Sequence, residues 1–199
     1  MNPPNTGKLV IISGPSGVGK STVVRELLSS CDLPLELSVS ATTRLPRNNE
    51  VDGVHYHFIS QEEFFEKRQN NEFLEFAEVF GIGDWYGTLE SPVRTRLEQG
   101  RYVVLEIDVA GAMMVLERFP NAASIFIHPG ELAELEKRLR GRNTETEEQI
   151  QRRIAVAAKE LEMAHHYQHI VTNEEIQATA NQICGLLKQT GEQKPCTTN

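Results

Sequence analysis

The stretch GPSGVGKST, residues 14–22, follows the apolar run KLVIIS at residues 8–13 and leads into VVRELLSS at residues 23–30. Gly14, Gly19, Lys20 and Ser21 fit the spacing G-x-x-x-x-G-K-[ST], and Leu9 to Ile12 is a continuous apolar strand candidate that runs straight into the loop. Glycines let successive backbone N–H groups converge on phosphate oxygens, while the helix that follows presents the positive end of its dipole. Lys20 adds charge near β- and γ-phosphates, and the Ser21 hydroxyl is placed to ligate Mg²⁺. A strand before the loop and an amphipathic helix after it make a chance glycine turn a poor alternative. The whole loop, Gly14, Pro15, Ser16, Gly17, Val18, Gly19, Lys20, Ser21 and Thr22, is therefore the expected cradle for a nucleoside triphosphate.

Outward from the loop, apolar runs of strand length recur at LPLELSV (residues 33–39), RYVVLEI (101–107) and AASIFIH (122–128), with QHIVT (168–172) a weaker fifth. Helical segments separate them. SPVRTRLEQG offers Ser91 as N-cap, Pro92 at the first helical position and Gly100 at the end, and helices are expected over Asp108–Phe119 and Glu131–Arg140. Strands alternating with helices imply an α/β core, a parallel sheet flanked by helices with ligands at the carboxyl ends of its strands.

Two stretches interrupt the alternation. Between Ser40 and Ser91, HYHFIS and EFLEFAEVF read as β-rich segments around a short helix opened by Ser60 with Glu63. From Pro129 to about Ala158 the chain is charged helix, where Thr146 with Gln149 matches a capping box for a helix that reaches His166. The expected organisation is a core of residues 5–39, 92–128 and 159–190, an inserted subdomain of 40–91, a helical lid of 129–158 and a disordered tail of 191–199.

Composition bounds the rest. A chain of 199 residues buries one substantial core. No segment has the apolar length to cross a bilayer, and the N-terminus MNPPNTGK lacks a signal-like stretch, so a cytoplasmic location is expected and no membrane partner. A net charge of −8 argues against nucleic acid as a partner. Cys31, Cys184 and Cys196 are odd in number and without C-x-x-C spacing, which reads as reduced thiols. His165 and His169 have metal-like spacing on a helix, but no carboxylate motif accompanies them.

SATTRLPR places Ser40, Thr42, Thr43, Arg44 and Arg47 within eight residues, and Tyr56 and Tyr86 follow in VHYHF and WYGT. Two guanidinium forks beside hydroxyls suit an anionic phosphate, because each binds bidentately and stays charged. Against this stands the ordinary fate of two nearby arginines, a solvated basic loop.

Five segments in order, GPSGVGKST, SVSATTRLPRNNEVDGVHYHF, FLEFAEVFGIGDWYGT, LEIDVAG and RLRGRNTETEEQIQRRI, give a chain that closely resembles the guanylate kinases over nearly its whole length. The resemblance implies a phosphate-loop kinase core, a β-rich GMP-binding insertion and a helical lid, with transfer of the γ-phosphoryl of ATP to GMP. By the same resemblance Arg44, Arg47, Tyr56 and Tyr86 hold the GMP phosphate, while Ser40, Glu75 and Thr88 read guanine. Glu106 and Asp108 then orient Mg²⁺-bound water or the acceptor, Arg138, Arg142 and Arg153 are lid arginines over the triphosphate, and Asn173 lies near the adenine. For Asp108 and Asn173 a helix N-cap is the plainer alternative. The implied small molecules are ATP, GMP and dGMP with Mg²⁺ as cofactor, and the oligomeric state is left open. Asn48–Asn49 stands where the family commonly has Pro-Gly, and Ala110 where glutamine is frequent; neither removes a charge that the chemistry needs.

Two rivals are weaker. A guanylate-kinase-like interaction module can dispense with Lys20 and the lid arginines, which this chain keeps. A kinase for a sugar phosphate has no reason to place Ser40, Glu75 and Thr88 together.

Overall fold

A strand buried on both faces reads as an unbroken apolar run, and β1 (Lys8–Ser13), β7 (Tyr102–Glu106) and β8 (Ala123–His128) are such runs, with almost all of their central side chains inaccessible. The computed structural model describes residues 7–79, 83–140 and 146–192. A parallel five-stranded sheet has the order β2 (Leu35–Leu37), β7, β1, β8 and β9 (His169–Thr172). The register of its second half runs from Val10 opposite Ala123 to Ser13 opposite Phe126, and from Ile125 opposite His169 to His128 opposite Thr172. The five expected strands are thus all present, although LPLELSV contributes only its three central residues.

The chain divides into two compact units, Met1–Leu9 with Glu36–Leu105 and Ala110–Ala122, and Val10–Leu35 with Glu106–Val109 and Ala123–Asn199. The first unit contains a four-stranded sheet in the order β4 (His57–Phe58), β3 (Ala41–Thr42), β6 (Asp84–Leu89) and β5 (Phe73–Val79). Its β3–β6 and β5–β6 pairs are antiparallel. Helix α2 (Gln61–Gln69) lies among these strands, and the Ser60 hydroxyl accepts the Glu63 amide at its start, as expected from the sequence. Phe64 stacks on Phe73 at 4.5 Å within a small core completed by Ala41, Phe76 and Trp85.

Helix α3 (Glu90–Glu98) corrects one expectation, because its N-cap is Leu89 and Ser91 lies inside the first turn. Strand β6 runs directly into the helix, and the Glu90 amide is satisfied by the Glu72 carbonyl at 2.8 Å, so no serine cap is needed. Glu90 in turn pairs with Arg94 and Arg118. Helix α4 (Val109–Arg118) starts one residue after the expected Asp108.

In the second unit, α1 (Lys20–Ser30) and α7 (Ile176–Glu192) pack along each other. The expected tail is corrected at its start, since Gly191 and Glu192 belong to α7; its remaining residues fall outside the described ones. Helices α5 (Leu132–Arg140) and α6 (Glu147–Glu162) pack through Leu132, Leu135, Ile154 and Ala157. The Thr146–Gln149 capping box is formed in both directions, and a 3₁₀ turn at Met163–His166 carries the helix to the expected end. Arg140 bonds both Glu136 and Glu147 and so ties α5 to α6.

The reading of reduced thiols is overturned at two cysteines. Cys31, which follows α1, is joined by a disulfide to Cys184 in α7, with their Cα atoms 5.8 Å apart across 153 residues of sequence. Packing of the two helices brings together residues whose spacing in the chain carried no sign of it. Closing so long a loop restricts the unfolded chain, so Cys184→Ser should lower stability by about 2–5 kcal/mol. Urea unfolding of the variant, and of the unreduced and dithiothreitol-treated parent, reads this directly; equal midpoints would show that the bond contributes nothing.

Candidate functional site

The glycine loop is built at the end of β1. Gly14 has φ +142°, and a Cβ there would sit 2.3 Å from the Ile127 carbonyl oxygen, so only glycine lets the loop leave β1 this close to β8. Gly19 has φ +98° and caps α1 without any side chain, leaving the first amides of the helix directed at whatever occupies the loop. Thr22 and Val23 already donate to the Gly19 carbonyl.

Lys20 bends back over the loop and donates to the carbonyls of Gly14 at 2.6 Å and Pro15 at 3.0 Å. Burial lowers its pKa, and the carboxylates of Glu160, Glu106 and Asp108 oppose that fall. Ser21 Oγ donates to Glu106 Oε1 at 2.5 Å. A hydroxyl and a carboxylate at the end of a phosphate loop are hard oxygen donors of the kind Mg²⁺ prefers, so the residues present fit that ion. Asp108 directly precedes α4 on the exposed side of the strand end.

Asn173 is buried, and its Nδ2 donates to the Val18 carbonyl at 2.7 Å while Thr179 Oγ1 donates to its Oδ1 at 3.2 Å. It therefore braces the phosphate loop from β9. It does not cap α7, which starts three residues later. Of the expected lid arginines, Arg153 Nη2 donates to Ser16 Oγ at 2.8 Å, a direct tie from α6 to the loop. Arg138 lies in α5, its side chain outside the described residues, and Arg142 lies outside them altogether.

The second set of predicted residues gathers on the four-stranded sheet. Arg44 donates through Nε to the Tyr86 hydroxyl at 2.9 Å, and its two terminal nitrogens grip Glu50 at 3.0 and 2.9 Å. Tyr56 meets Tyr86 edge to face at 5.7 Å and lies 5.5 Å below the Arg44 guanidinium. Arg47 is exposed, and its backbone amide donates to Glu50 at 2.7 Å. Glu50 was missed by the sequence reading. Its only signal was a carboxylate three residues after Arg47 in a turn, and the turn closes through Asn49, whose φ of 71° is the left-handed conformation a glycine would take.

Glu75 in β5 and Thr88 in β6 are register partners, both buried, and Thr88 Oγ1 donates to Glu75 Oε1 at 2.6 Å. Ser40, half-buried, precedes β3 and accepts the His57 amide on its carbonyl. A carboxylate at 6 % exposure is set apart from solvent, and a neighbouring hydroxyl fixes its direction.

A glycine loop after a parallel strand, a lysine on its backbone and a tied arginine mark the class as phosphate-loop nucleotide-binding proteins. The guanylate kinase family model matches residues 6–190. The chain is 49% identical over 194 residues to a guanylate kinase of Rhodopirellula baltica, covering 97% of this chain and 93% of that protein. It is 48% identical over 185 residues to one of Fusobacterium nucleatum, covering 92% and 96%. Among solved structures, the guanylate kinase of Anaplasma phagocytophilum superposes with a TM-score of 0.76 at 30% identity, over 95% of this chain and 88% of that one. The chain belongs to the guanylate kinase family, and it is a phosphotransferase that phosphorylates GMP with ATP.

The Arg44 fork, and after it the Arg47 amide, hold the Glu50 carboxyl down at about 2. A folded-state value below the unfolded 4.5 means that the pairing stabilises fully above the unfolded value and is lost as pH falls toward the folded one. A carboxyl-detected NMR titration should place Glu50 near 2 in the parent and closer to 4.5 in Arg44→Met. A parent midpoint near 4.5 would mean that the pair does not persist in solution.

Proposed function

We propose that the chain transfers the γ-phosphoryl group of ATP to GMP, and to dGMP, giving ADP and the nucleoside diphosphate, with Mg²⁺ as cofactor. The observation that carries the choice of base is Glu75, buried and oriented by the Thr88 hydroxyl. Guanine offers adjacent ring N–H and amino donors that one carboxylate can accept, and its carbonyl takes a hydroxyl donor, the role we assign to Ser40. Adenine turns a lone pair toward the same carboxylate, which leaves a buried charge facing an acceptor.

In this reading Arg44, Arg47, Tyr56 and Tyr86 receive the phosphate of GMP. The donor lies on the loop Gly14–Thr22, with Asn173 holding the loop beneath it. Ser21 would hold Mg²⁺, which would supply charge neutralisation for the phosphoryl groups, and Glu106 and Asp108 would orient Mg²⁺-bound water or the acceptor. Phosphoryl transfer asks little covalent chemistry of a protein, so positioning and cationic stabilisation carry it. Lys20 moves its ammonium from the loop carbonyls to the phosphate oxygens, and Arg138, Arg142 and Arg153 add positive charge from the lid. The division into core, GMP-binding insertion (40–91) and lid (129–158) belongs to the same proposal.

No helix among the described residues is long and apolar enough to cross a membrane. We place the chain in the cytoplasm, where its nucleotides are used, and there the Cys31–Cys184 bond is open to exchange with cellular thiols. We assign it no nucleic-acid partner.

Glu75→Gln should lower the ratio of kcat/KM for GMP over AMP by roughly 100-fold, because an amide cannot accept from both guanine donors. A coupled ADP-release assay with both acceptors measures it. An unchanged ratio would show that Glu75 does not read the base.

A further inference from the structure

Over their paired stretch, β5 carries one residue more than β6. Phe73 pairs with Leu89, yet the next pair is Glu75 with Thr88 and then Phe76 with Gly87, so Leu74 is the extra residue of a β-bulge. Paired residues share a face of the sheet, and a slip of one residue turns a strand over. Without the extra residue Thr88 would face Leu74 and Glu75 would face Gly87, and the bond from Thr88 Oγ1 to Glu75 could not form. The packing records the same turn of the strand. Phe73 and Phe76 both pack into the core around Phe64, their rings 6.3 Å apart, whereas a regular strand sends residues three apart to opposite faces.

Two contacts bear on the bulge. From β6, Gly87 approaches so closely that a Cβ there would sit 2.8 Å from the Phe73 ring and 2.9 Å from the Glu75 carbonyl oxygen. From α4, Arg118 Nη1 donates to the Phe73 carbonyl at 3.0 Å, in the peptide that leads into Leu74, while its Nη2 donates to the Glu90 carboxylate at 2.5 Å. Glu90 opens α3, and its own amide donates to the Glu72 carbonyl at 2.8 Å. One planar guanidinium thus joins the last residue before the bulge in β5 to the first residue after β6, a double contact that the fork shape suits. Bulge, glycine and clamp all belong to the first unit.

A bulge beside a binding residue serves to re-aim it. We propose that Arg118 is a positioning residue for the choice of base: by clamping Phe73 and Glu90 it fixes the bulge at Leu74 and so keeps Glu75 opposite Thr88. The proposal deepens, and rests on, the reading of Glu75 as the acceptor for guanine. Arg118 acts through the β5 backbone rather than on the nucleotide.

Arg118→Met keeps an apolar stem and removes both donors. Coupled ADP release should show KM for GMP raised about 10-fold with kcat near the parent's, KM for ATP within about twofold, and kcat/KM for AMP unchanged. The GMP-to-AMP ratio then falls about 10-fold, short of the loss from Glu75→Gln. Each variant is measured below its melting transition, where lowered stability alone does not move this ratio. Because the effect passes through Glu75, adding Arg118→Met to Glu75→Gln should change the ratio by less than about twofold. An unchanged ratio in Arg118→Met, or full additivity in the double variant, would overturn the proposal. If Arg118→Met does not fold, Arg118→Lys, which puts a compact ammonium in place of the planar fork, should lower the ratio about threefold, and a parent-like ratio there overturns the proposal equally. Glu75→Gln, run alongside, separates two failures. A collapsed ratio in Glu75→Gln beside a parent-like one in Arg118→Met removes the clamp alone, whereas a parent-like ratio in Glu75→Gln removes the base reading and the clamp's part in it together.

Discussion

The close approach of the Gly14 backbone to the carbonyl of Ile127, where a first side-chain carbon would sit 2.3 Å from the oxygen, is the constraint on which the glycine loop and its contacts depend. It lets β1 end hard against β8, which turns the loop so that α1 begins at Lys20 with its amides open. Lys20 can then reach the Gly14 and Pro15 carbonyls, and Asn173 can reach Val18 from β9. A larger residue at position 14 would displace the strand ends and every one of these contacts with them.

In each unit a cation is held by internal partners. Lys20 rests on loop carbonyls, and Arg44 rests on Glu50 and the Tyr86 hydroxyl. Such arrangements reduce the reorganisation needed when an anionic ligand arrives, which is how fixed dipoles and charges accelerate reactions that transfer charge. The Glu75–Thr88 pair follows the same logic, since Thr88 sets the direction of Glu75 in a buried environment where a misaimed carboxylate would be costly. The side chains to which we assign guanine and phosphate recognition are thus already held by neighbours.

Much of this is legible in the chain because it is local. The loop spacing at residues 14–22, the unbroken apolar strands and the Thr146–Gln149 cap each depend on residues a few positions apart, and the structure forms each of them. What escaped the sequence depends on distance or on exact direction. Cys31 and Cys184 meet only because α1 and α7 pack together. Ser91 looked like a cap until β6 delivered the chain straight into α3 and the Glu72 carbonyl took the amide in its place. Glu50 is an acid in a turn, a place where most acids are solvated, and only the folded turn reveals its partner Arg44.

The central claim is that ATP gives its terminal phosphoryl group to GMP on this chain. Product chromatography of a mixture of ATP, GMP, Mg²⁺ and the protein should show ADP and GDP rising in equal amounts, and no ADP when AMP replaces GMP. ADP without GDP, or AMP phosphorylated as readily as GMP, would contradict the account.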